Sequence, residues 1–223
     1  MARFKKSKVL SQMREIGVIP VFYNPDLNIA KEVVSACAEG GAKVIEFTNR
    51  GDQAIEVFKD LYKFCASERK DVVLGVGSIV DAPTAAAYIG AGADFVVGPT
   101  INEETAKICN LKKIPYSPGC GSASEISKAH ELGVDICKVF PGSSVGGPGF
   151  VKSILGPMPW TEIMPTGGVS ANKENLKEWF DAGIVCAGMG SKLITKELLN
   201  KKAYEGITEN VRKVIAIIKE IRP

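Results

Sequence analysis

A lysine inside an apolar run is the first residue of this sequence that could do chemistry. Residues 136–140 are mostly apolar, run into Pro141 and Gly142, and carry Lys138 at their centre. The length of the run and the turn residues after it predict a short buried strand, and strands of a parallel sheet carry few charges because both faces are covered. Burial lowers the pKa of an unpaired lysine, and a neutral amine can attack a carbonyl carbon. From this run alone, a strand-end lysine that reaches solvent, or one in a buried ion pair, remains an alternative.

The elements that would position this lysine alternate regularly along the chain. After a leading helix at 7–16, the pattern predicts eight strands, each followed by a helical segment. The strands, some with their loops, are predicted at 18–23, 42–50, 72–80, 94–100, 114–120, 135–142, 160–170 and 184–191. This alternation implies parallel pairing. Eight units in 223 residues fit a single (β/α)8 barrel domain over residues 1–223 with an extra N-terminal helix, and a doubly wound open sheet is the alternative.

Polar groups lie where several predicted strands end, which is where barrel enzymes place their active sites. Side chains alternate across a strand. Glu46 therefore lies on one face of the second strand, and Lys138 lies on one face of the sixth, together with Phe140. If both faces are interior, a carboxylate and an amine meet at the mouth of the barrel. Arg50, just beyond the second strand, suits a bidentate grip on a substrate carboxylate. Taken alone, Glu46 also fits a structural ion pair, and Arg50 an ordinary surface position.

Two glycine-rich loops follow the last two strands. Gly167 and Gly168 end the seventh, and Gly188, Gly190 and Ser191 end the eighth. Many barrels hold a phosphate at this position on backbone N–H groups and a short helix N-terminus. Each glycine pair alone is also compatible with a simple turn, but two such loops on consecutive strands predict a phosphate site.

Composition narrows the range of functions. Hydrophobic residues make up 45% of the chain and charged residues 24%, and the net charge of +3 gives no argument for nucleic-acid binding. No apolar run is long enough for a membrane span or a signal peptide, so we expect a cytoplasmic protein. The basic residues near the N-terminus are expected on the solvated face of a helix; they are Arg3, Lys5, Lys6 and Lys8. Six cysteines without a C-x-x-C pair are expected to be reduced core residues, and one histidine, His130, excludes a multi-histidine metal site.

With these residues placed, the chain resembles the family of 2-keto-3-deoxy-6-phosphogluconate (KDPG) and 2-keto-4-hydroxyglutarate (KHG) aldolases. The likeness covers nearly the whole chain. It depends on six segments in order and spacing: VIEFTNR (44–50), GVGS (75–78), VGPT (97–100), PGCGSASE (118–125), CKVFPG (137–142) and MPTGGVS (164–170). It implies a class I aldolase on a (β/α)8 barrel that uses no metal or other cofactor, acts on a phosphorylated keto acid and is usually a homotrimer.

The resemblance also implies residue roles. Lys138 corresponds to the lysine that forms the Schiff base, and Glu46 to the general acid/base. The substrate-binding positions are Arg50, which would hold the carboxylate, Ser78, Pro99, Phe140 and Thr166. The phosphate-binding positions are Gly167, Gly168 and Ser191, beside Gly190 in the same loop. Ser78 departs from the commoner threonine, and Asn49 and Met189 also differ, at positions without an assigned role.

Other functions remain open at this stage. The galactonate-derived epimer of KDPG differs at one carbon and KHG lacks the phosphate, and the Thr166 hydroxyl mildly favours the gluconate-derived compound. A phosphate-binding isomerase or synthase would share the glycine loops without a covalent lysine. A catalytically silent barrel that senses a sugar phosphate is the third possibility, disfavoured by the presence of Glu46, Arg50 and Lys138 together.

Overall fold

The computed structural model describes residues 2–222 and shows an α/β fold in which helices alternate with short strands. The helices are α1 (Lys6–Ile16), α2 (Leu27–Glu39), α3 (Ala54–Glu68), α4 (Ala82–Gly90), α5 (Glu103–Lys112), α6 (Ala123–Glu131), α7 (Gly147–Leu155), α8 (Lys173–Asp181), α9 (Lys196–Asn200) and α10 (Tyr204–Ile221). The strands are β1 (Val18–Phe22), β2 (Val44–Thr48), β3 (Val73–Gly77), β4 (Val96–Val97), β5 (Tyr116–Ser117), β6 (Gly119–Cys120), β7 (Ile136–Val139), β8 (Glu162–Pro165) and β9 (Ala187–Met189).

The strands pair in parallel, as the alternation predicts, but in two sheets. A curled six-stranded sheet has the order β5-β4-β3-β2-β1-β9, and a three-stranded sheet has the order β6-β7-β8. The predicted strand at 114–120 is wrong as one continuous strand, because Pro118 separates β5 from β6. A proline has no backbone N–H to donate to a ladder, although the Pro118 carbonyl accepts from the Lys138 N–H at 3.1 Å.

Two apolar clusters cover the two faces of the strands. The larger one packs the outer faces of the strands against the helices. The smaller one lies on the inner faces and joins alternate strand residues to three residues of α1, namely Val9, Leu10 and Met13. Helix α1 therefore packs against the inner strand faces instead of lying free on the surface. The lysine side chains of α1 lie outside the apolar cluster, and Lys6 forms an ion pair with Asp135 at 2.7 Å.

The residues before α1 are anchored by a buried carboxylate. Asp94 is fully buried and accepts from the backbone N–H groups of Arg3 at 2.7 Å and Leu74 at 3.0 Å. The Arg3 guanidinium lies over the rings of Phe4 and Tyr62. These contacts fix the N-terminal segment beside β3, because a buried carboxylate without donors would be costly.

Other features agree with the sequence analysis. All six cysteines are buried and unpaired, and His130 lies half-buried on α6. Ser122 caps α6 by accepting from the Glu125 N–H at 3.3 Å, while the Glu125 carboxylate accepts from the Gly121 N–H at 2.8 Å. Among residues 2–222, no helix has the length and apolar character of a membrane span.

Candidate active site

Lys138 lies in the middle of β7, and its side chain is buried. The residue is 5% exposed, and its register partners are Gly119 on β6 and Met164 on β8. Its Nζ atom lies 4.6 Å from the centroid of the Phe140 ring. Burial lowers the pKa of Lys138; the Glu46 carboxylate opposes this shift and the Arg50 guanidinium adds to it. The alternative of a lysine that reaches solvent is wrong.

Glu46 supplies the buried acid, on the inner face of β2. It is 2% exposed, and its Oε2 atom has no hydrogen-bond partner among residues 2–222. Burial raises the pKa of Glu46, and the charges of Lys138 and Arg50 oppose that rise. A side chain on Gly77 of the neighbouring strand would collide with the Glu46 carboxylate, so the glycine provides the space that the acid occupies.

Arg50 lies at the exposed edge of this pair, in the loop after β2. Its Nε atom donates to the Ser78 hydroxyl at 3.3 Å. Ser78 directly follows β3 and adopts a φ of 62°, in the left-handed region that few non-glycine residues occupy. The backbone at Ser78 thus turns away from the strand direction and presents the hydroxyl to Arg50. Pro99 is half-buried after β4, and its carbonyl packs so closely on Gly119 that a side chain there would collide with it.

A cavity of about 550 Å³ opens beside these residues, at the carboxyl ends of β1, β8 and β9. Its lining includes seven of the predicted site residues: Arg50, Phe140, Thr166, Gly167, Gly168, Gly190 and Ser191. Gly167 and Gly168 have φ values of 92° and 82°, which L side chains rarely adopt. The Thr166 Oγ1 atom faces Gly188, where a side chain would collide with it, and has no hydrogen-bond partner among residues 2–222.

The predicted site residues therefore fall into two adjoining groups. Lys138, Glu46, Ser78 and Pro99 do not line the cavity itself. Phe140 connects the groups on one side, since its ring contacts Lys138 and also lines the cavity. Arg50 connects them on the other side through its hydrogen bond to Ser78. Two larger cavities lie on helix faces away from these strand ends, and they contain none of the predicted site residues.

Sequence reasoning missed three polar side chains that line the 550 Å³ cavity: Tyr23, Lys192 and Lys196. Tyr23 directly follows β1, and Lys192 directly follows Ser191, so both occupy strand-end positions that could have been inspected. Asn49, which had no assigned role, accepts a hydrogen bond from the Tyr88 hydroxyl at 2.9 Å. It thereby links the loop after β2 to α4.

A buried lysine and a buried carboxylate next to a cavity at the strand ends suit imine chemistry on a keto acid, and the relatives of this chain are aldolases, which are carbon–carbon lyases. The chain belongs to the KDPG and KHG aldolase family, whose sequence model matches residues 9–210. The 2-dehydro-3-deoxy-phosphogluconate aldolase of Haemophilus influenzae is 29% identical over 97% of this chain and 99% of its own length. The KHG/KDPG aldolase of Escherichia coli is 28% identical over 89% of this chain and 90% of its own length.

A solved structure of similar shape is that of KDPG aldolase from Legionella pneumophila, with pyruvate captured at low pH as a covalent carbinolamine intermediate. It superposes with a TM-score of 0.84 and 27% identity, covering 92% of this chain and 97% of that chain.

Proposed function

We propose that this protein is a class I aldolase that cleaves KDPG to pyruvate and glyceraldehyde 3-phosphate through an imine on Lys138. The observation that carries the proposal is the Lys138 amine, buried in the middle of β7 with a lowered pKa and electrostatically coupled to the buried Glu46. Family membership and the names of the relatives support the same reaction.

The reaction begins when the neutral Lys138 amine attacks the keto carbon of the substrate. The carbinolamine loses water and becomes a protonated imine, which accepts electrons from the neighbouring bonds. Glu46 takes the proton of the hydroxyl on the fourth carbon, directly or through water. The bond between the third and fourth carbons then breaks, its electron pair forms the enamine, and the aldehyde leaves. Protonation of the enamine carbon and hydrolysis of the imine release pyruvate and restore the lysine.

The remaining site residues would hold the substrate along the mouth of the sheet. Arg50, oriented by Ser78, would hold the carboxylate, while Pro99 and Phe140 would line the keto-acid end. The loops that contain Gly167, Gly168, Gly190 and Ser191 would bind the phosphate on backbone N–H groups. The Thr166 hydroxyl, which has no hydrogen-bond partner among the described residues, would bond a substrate hydroxyl near the phosphate end.

Cleavage of KHG to pyruvate and glyoxylate is a second candidate activity. The family description names both substrates, and so does the name of the Escherichia coli relative. Both share the pyruvate half that Lys138 and Arg50 would bind. Turnover of KHG, of KDPG and of its galactonate-derived epimer, measured side by side, decides among them.

We also propose that the two sheets form one closed (β/α)8 barrel, and that residues 1–223 make one domain. The chain runs from β5 to β6 through the single residue Pro118. On the other side, Thr166 bridges to Gly188, and the Val185 N–H donates to the Ile163 carbonyl at 3.0 Å. Eight strand positions would thus follow one another around the ring, with β5 and β6 sharing one of them.

A homotrimer and a cytoplasmic location are proposed from the family resemblance, and six unpaired buried cysteines suit a reducing compartment.

Pyruvate release from KDPG, followed with a coupled dehydrogenase, tests the function. The wild-type protein is expected to release pyruvate and Lys138→Arg to release none, because arginine forms no imine. Lys213→Arg is the matched control, since Lys213 is exposed on α10 and lines none of the cavities described above. Retained turnover in Lys138→Arg would contradict the covalent route and show that cleavage proceeds without an imine on this residue. A folded wild-type protein that releases no pyruvate would favour the isomerase or synthase, or the silent sugar-phosphate sensor.

A further inference from the structure

The cavity beside the candidate active site has an uneven charge distribution. Three basic residues line it, namely Arg50, Lys192 and Lys196, and its lining includes no aspartate or glutamate. By contrast, a cavity of about 790 Å³ between α2, α3 and α10 carries four glutamates next to its basic residues. Cations without nearby acids create a positive potential, and a concave surface strengthens it. The cavity is therefore suited to an anion with more than one negative charge.

The two lysines have no structural role in ion pairing. Within residues 2–222 neither forms an ion pair, whereas Lys201, directly after α9, contacts Glu197 at 2.7 Å. Lys177 on α8 is likewise paired, with Asp181 at 2.7 Å. Lys192 and Lys196 thus remain available to an anionic ligand.

The backbone around Lys192 also suits an anion with more than one negative charge. Lys192 and Ser191 lie in one tight turn, closed by the Leu193 and Ile194 N–H groups, which donate to the Gly190 carbonyl at 2.8 and 2.9 Å. The N–H groups of Ser191 and Lys192 donate to no carbonyl within the described residues. One turn thus presents backbone donors and a cationic side chain together, a combination that suits phosphate.

The strand order places Arg50 on the opposite side of the cavity from the two lysines. It follows β2 and contacts the end of β3, while Lys192 and Lys196 follow β9, and β1 lies between β2 and β9. Two strand spacings of roughly 5 Å each separate the two sides. A sugar acid with a carboxylate at one end and a phosphate at the other matches a site with one cationic group at each end.

We propose that Lys192 and Lys196 determine specificity for the phosphorylated substrate by neutralising the charge of its phosphate, with Lys192 the stronger determinant. This inference rests on the proposed aldolase function and deepens it, because it assigns the preference for phosphorylated over unphosphorylated keto acids to two lysine side chains in addition to the backbone N–H groups of the glycine loops. The lysines act at the far end of the substrate, so they alter binding and leave the chemistry at Lys138 unchanged.

The test compares kcat/KM for KDPG with kcat/KM for 2-keto-3-deoxygluconate, which lacks the phosphate. The Lys192→Met, Lys196→Met double variant is expected to lose roughly five- to twentyfold in kcat/KM for KDPG, mostly through KM, because each partly exposed charge pair contributes modestly. The value for the unphosphorylated acid should stay unchanged, and the ionic-strength dependence with KDPG should weaken. A variant with Lys192→Arg and Lys196→Met keeps a cation at residue 192, so it should retain most of the kcat/KM that the double methionine variant loses. Lys213→Met is the matched control. An equal loss with both substrates, or no loss with KDPG, would overturn the inference.

A binding measurement separates this inference from the proposed function. Calorimetry with 3-phosphoglycerate and with glycerate requires no turnover. If the wild-type protein cleaves neither keto acid, the proposed function fails. The inference still stands if 3-phosphoglycerate binds more tightly than glycerate and the double variant removes that difference. It fails if the two ligands bind alike, or if the double variant binds both as the wild type does.

Discussion

Burial moves the pKa values of Lys138 and Glu46 toward each other. The lysine value falls and the carboxyl value rises, and in each case loss of solvation is the largest cause. An acid and a base whose pKa values approach each other exchange protons at little cost. Burial thus favours the neutral Lys138 amine that attacks the keto carbon, and a Glu46 carboxylate with a raised pKa is a stronger base for bond cleavage than an exposed carboxylate.

Replacement of Glu46 should separate imine formation from cleavage. Glu46→Gln removes the proton acceptor, so KDPG turnover is expected to fall by roughly 10²–10⁴-fold. The substitution also removes the anion that opposes the lowered pKa of Lys138, so the amine stays neutral and pyruvate can still be trapped on it. Pyruvate release and borohydride trapping are measured on the same preparation. Glu174→Gln, on the exposed face of α8, is the control. Turnover within about threefold of wild type would show that another group accepts the proton.

Ser78 combines a hydrogen bond with an unfavourable backbone conformation, and two substitutions separate these effects. Ser78→Ala and Ser78→Gly both remove the acceptor of the Arg50 Nε–H, so both should raise KM for KDPG by roughly two- to tenfold, a modest effect because Arg50 is exposed. Only glycine adopts a φ of 62° without cost, so Ser78→Gly should be more stable than Ser78→Ala by about 1 kcal/mol. Urea unfolding gives the stability. An unchanged KM in both variants would show that Ser78 does not orient Arg50.

At the scale of elements, β2 and β7 each carry one charged residue among the uncharged residues of their inner face. Val44 and Ile136 on these strands belong to the inner cluster that α1 contacts, whereas Glu46 and Lys138 lie toward the carboxyl ends. The strands are thus apolar where they meet α1 and polar at the candidate active site. The polar end serves the reaction at the expense of stability.

This division predicts a more stable but inactive protein. Lys138→Met combined with Glu46→Met replaces two buried ionisable groups by apolar side chains of similar size and should stabilise the fold by about 1–4 kcal/mol at neutral pH. Urea unfolding measures the difference. The control removes an exposed pair, Lys177→Met with Asp181→Asn, and should change stability by about 0.5 kcal/mol or less. A double variant clearly less stable than wild type would contradict this assessment of the buried pair.

The same variant should also change the pH dependence of stability. Between its lowered pKa and the ordinary lysine value, Lys138 binds a proton only in the unfolded chain, so its contribution to stability rises with pH across that window. Between the ordinary glutamate value and its raised pKa, Glu46 binds a proton only in the folded chain, so its contribution falls with rising pH there. Both slopes should disappear in the double variant.

At the scale of the whole molecule, hydrophobic patterning predicted the order and type of the elements. The alternation of apolar runs and helical periods depends on local sequence, and the parallel pairing follows from it. The strand bounds were less accurate: the run at 94–100 contains only the two-residue strand β4. Pro118 marks the break between β5 and β6, and the sequence itself contained this signal, because a proline within a predicted strand argues against a continuous ladder.

The catalytic pair of the candidate site was predictable because burial and charge conflict there: Lys138 and Glu46 stand out since charged residues seldom occur in buried strands. Arg50 and the glycine loops were predictable because they follow strand ends. Lys196 does not stand out, since unpaired lysines on surface helices are common and only the fold brings it to the cavity. The contact of Asn49 with Tyr88 spans 39 residues of chain, so no local pattern could have shown it.

The most direct test of the whole account is to trap the covalent intermediate. The protein is incubated with pyruvate, reduced with borohydride and digested, and the modified peptide is identified by mass spectrometry. The account predicts one pyruvate-derived adduct on Lys138, absent without pyruvate and absent in Lys138→Arg. A wild-type protein that releases pyruvate from KDPG but shows no adduct, or shows it on another lysine, would contradict the account.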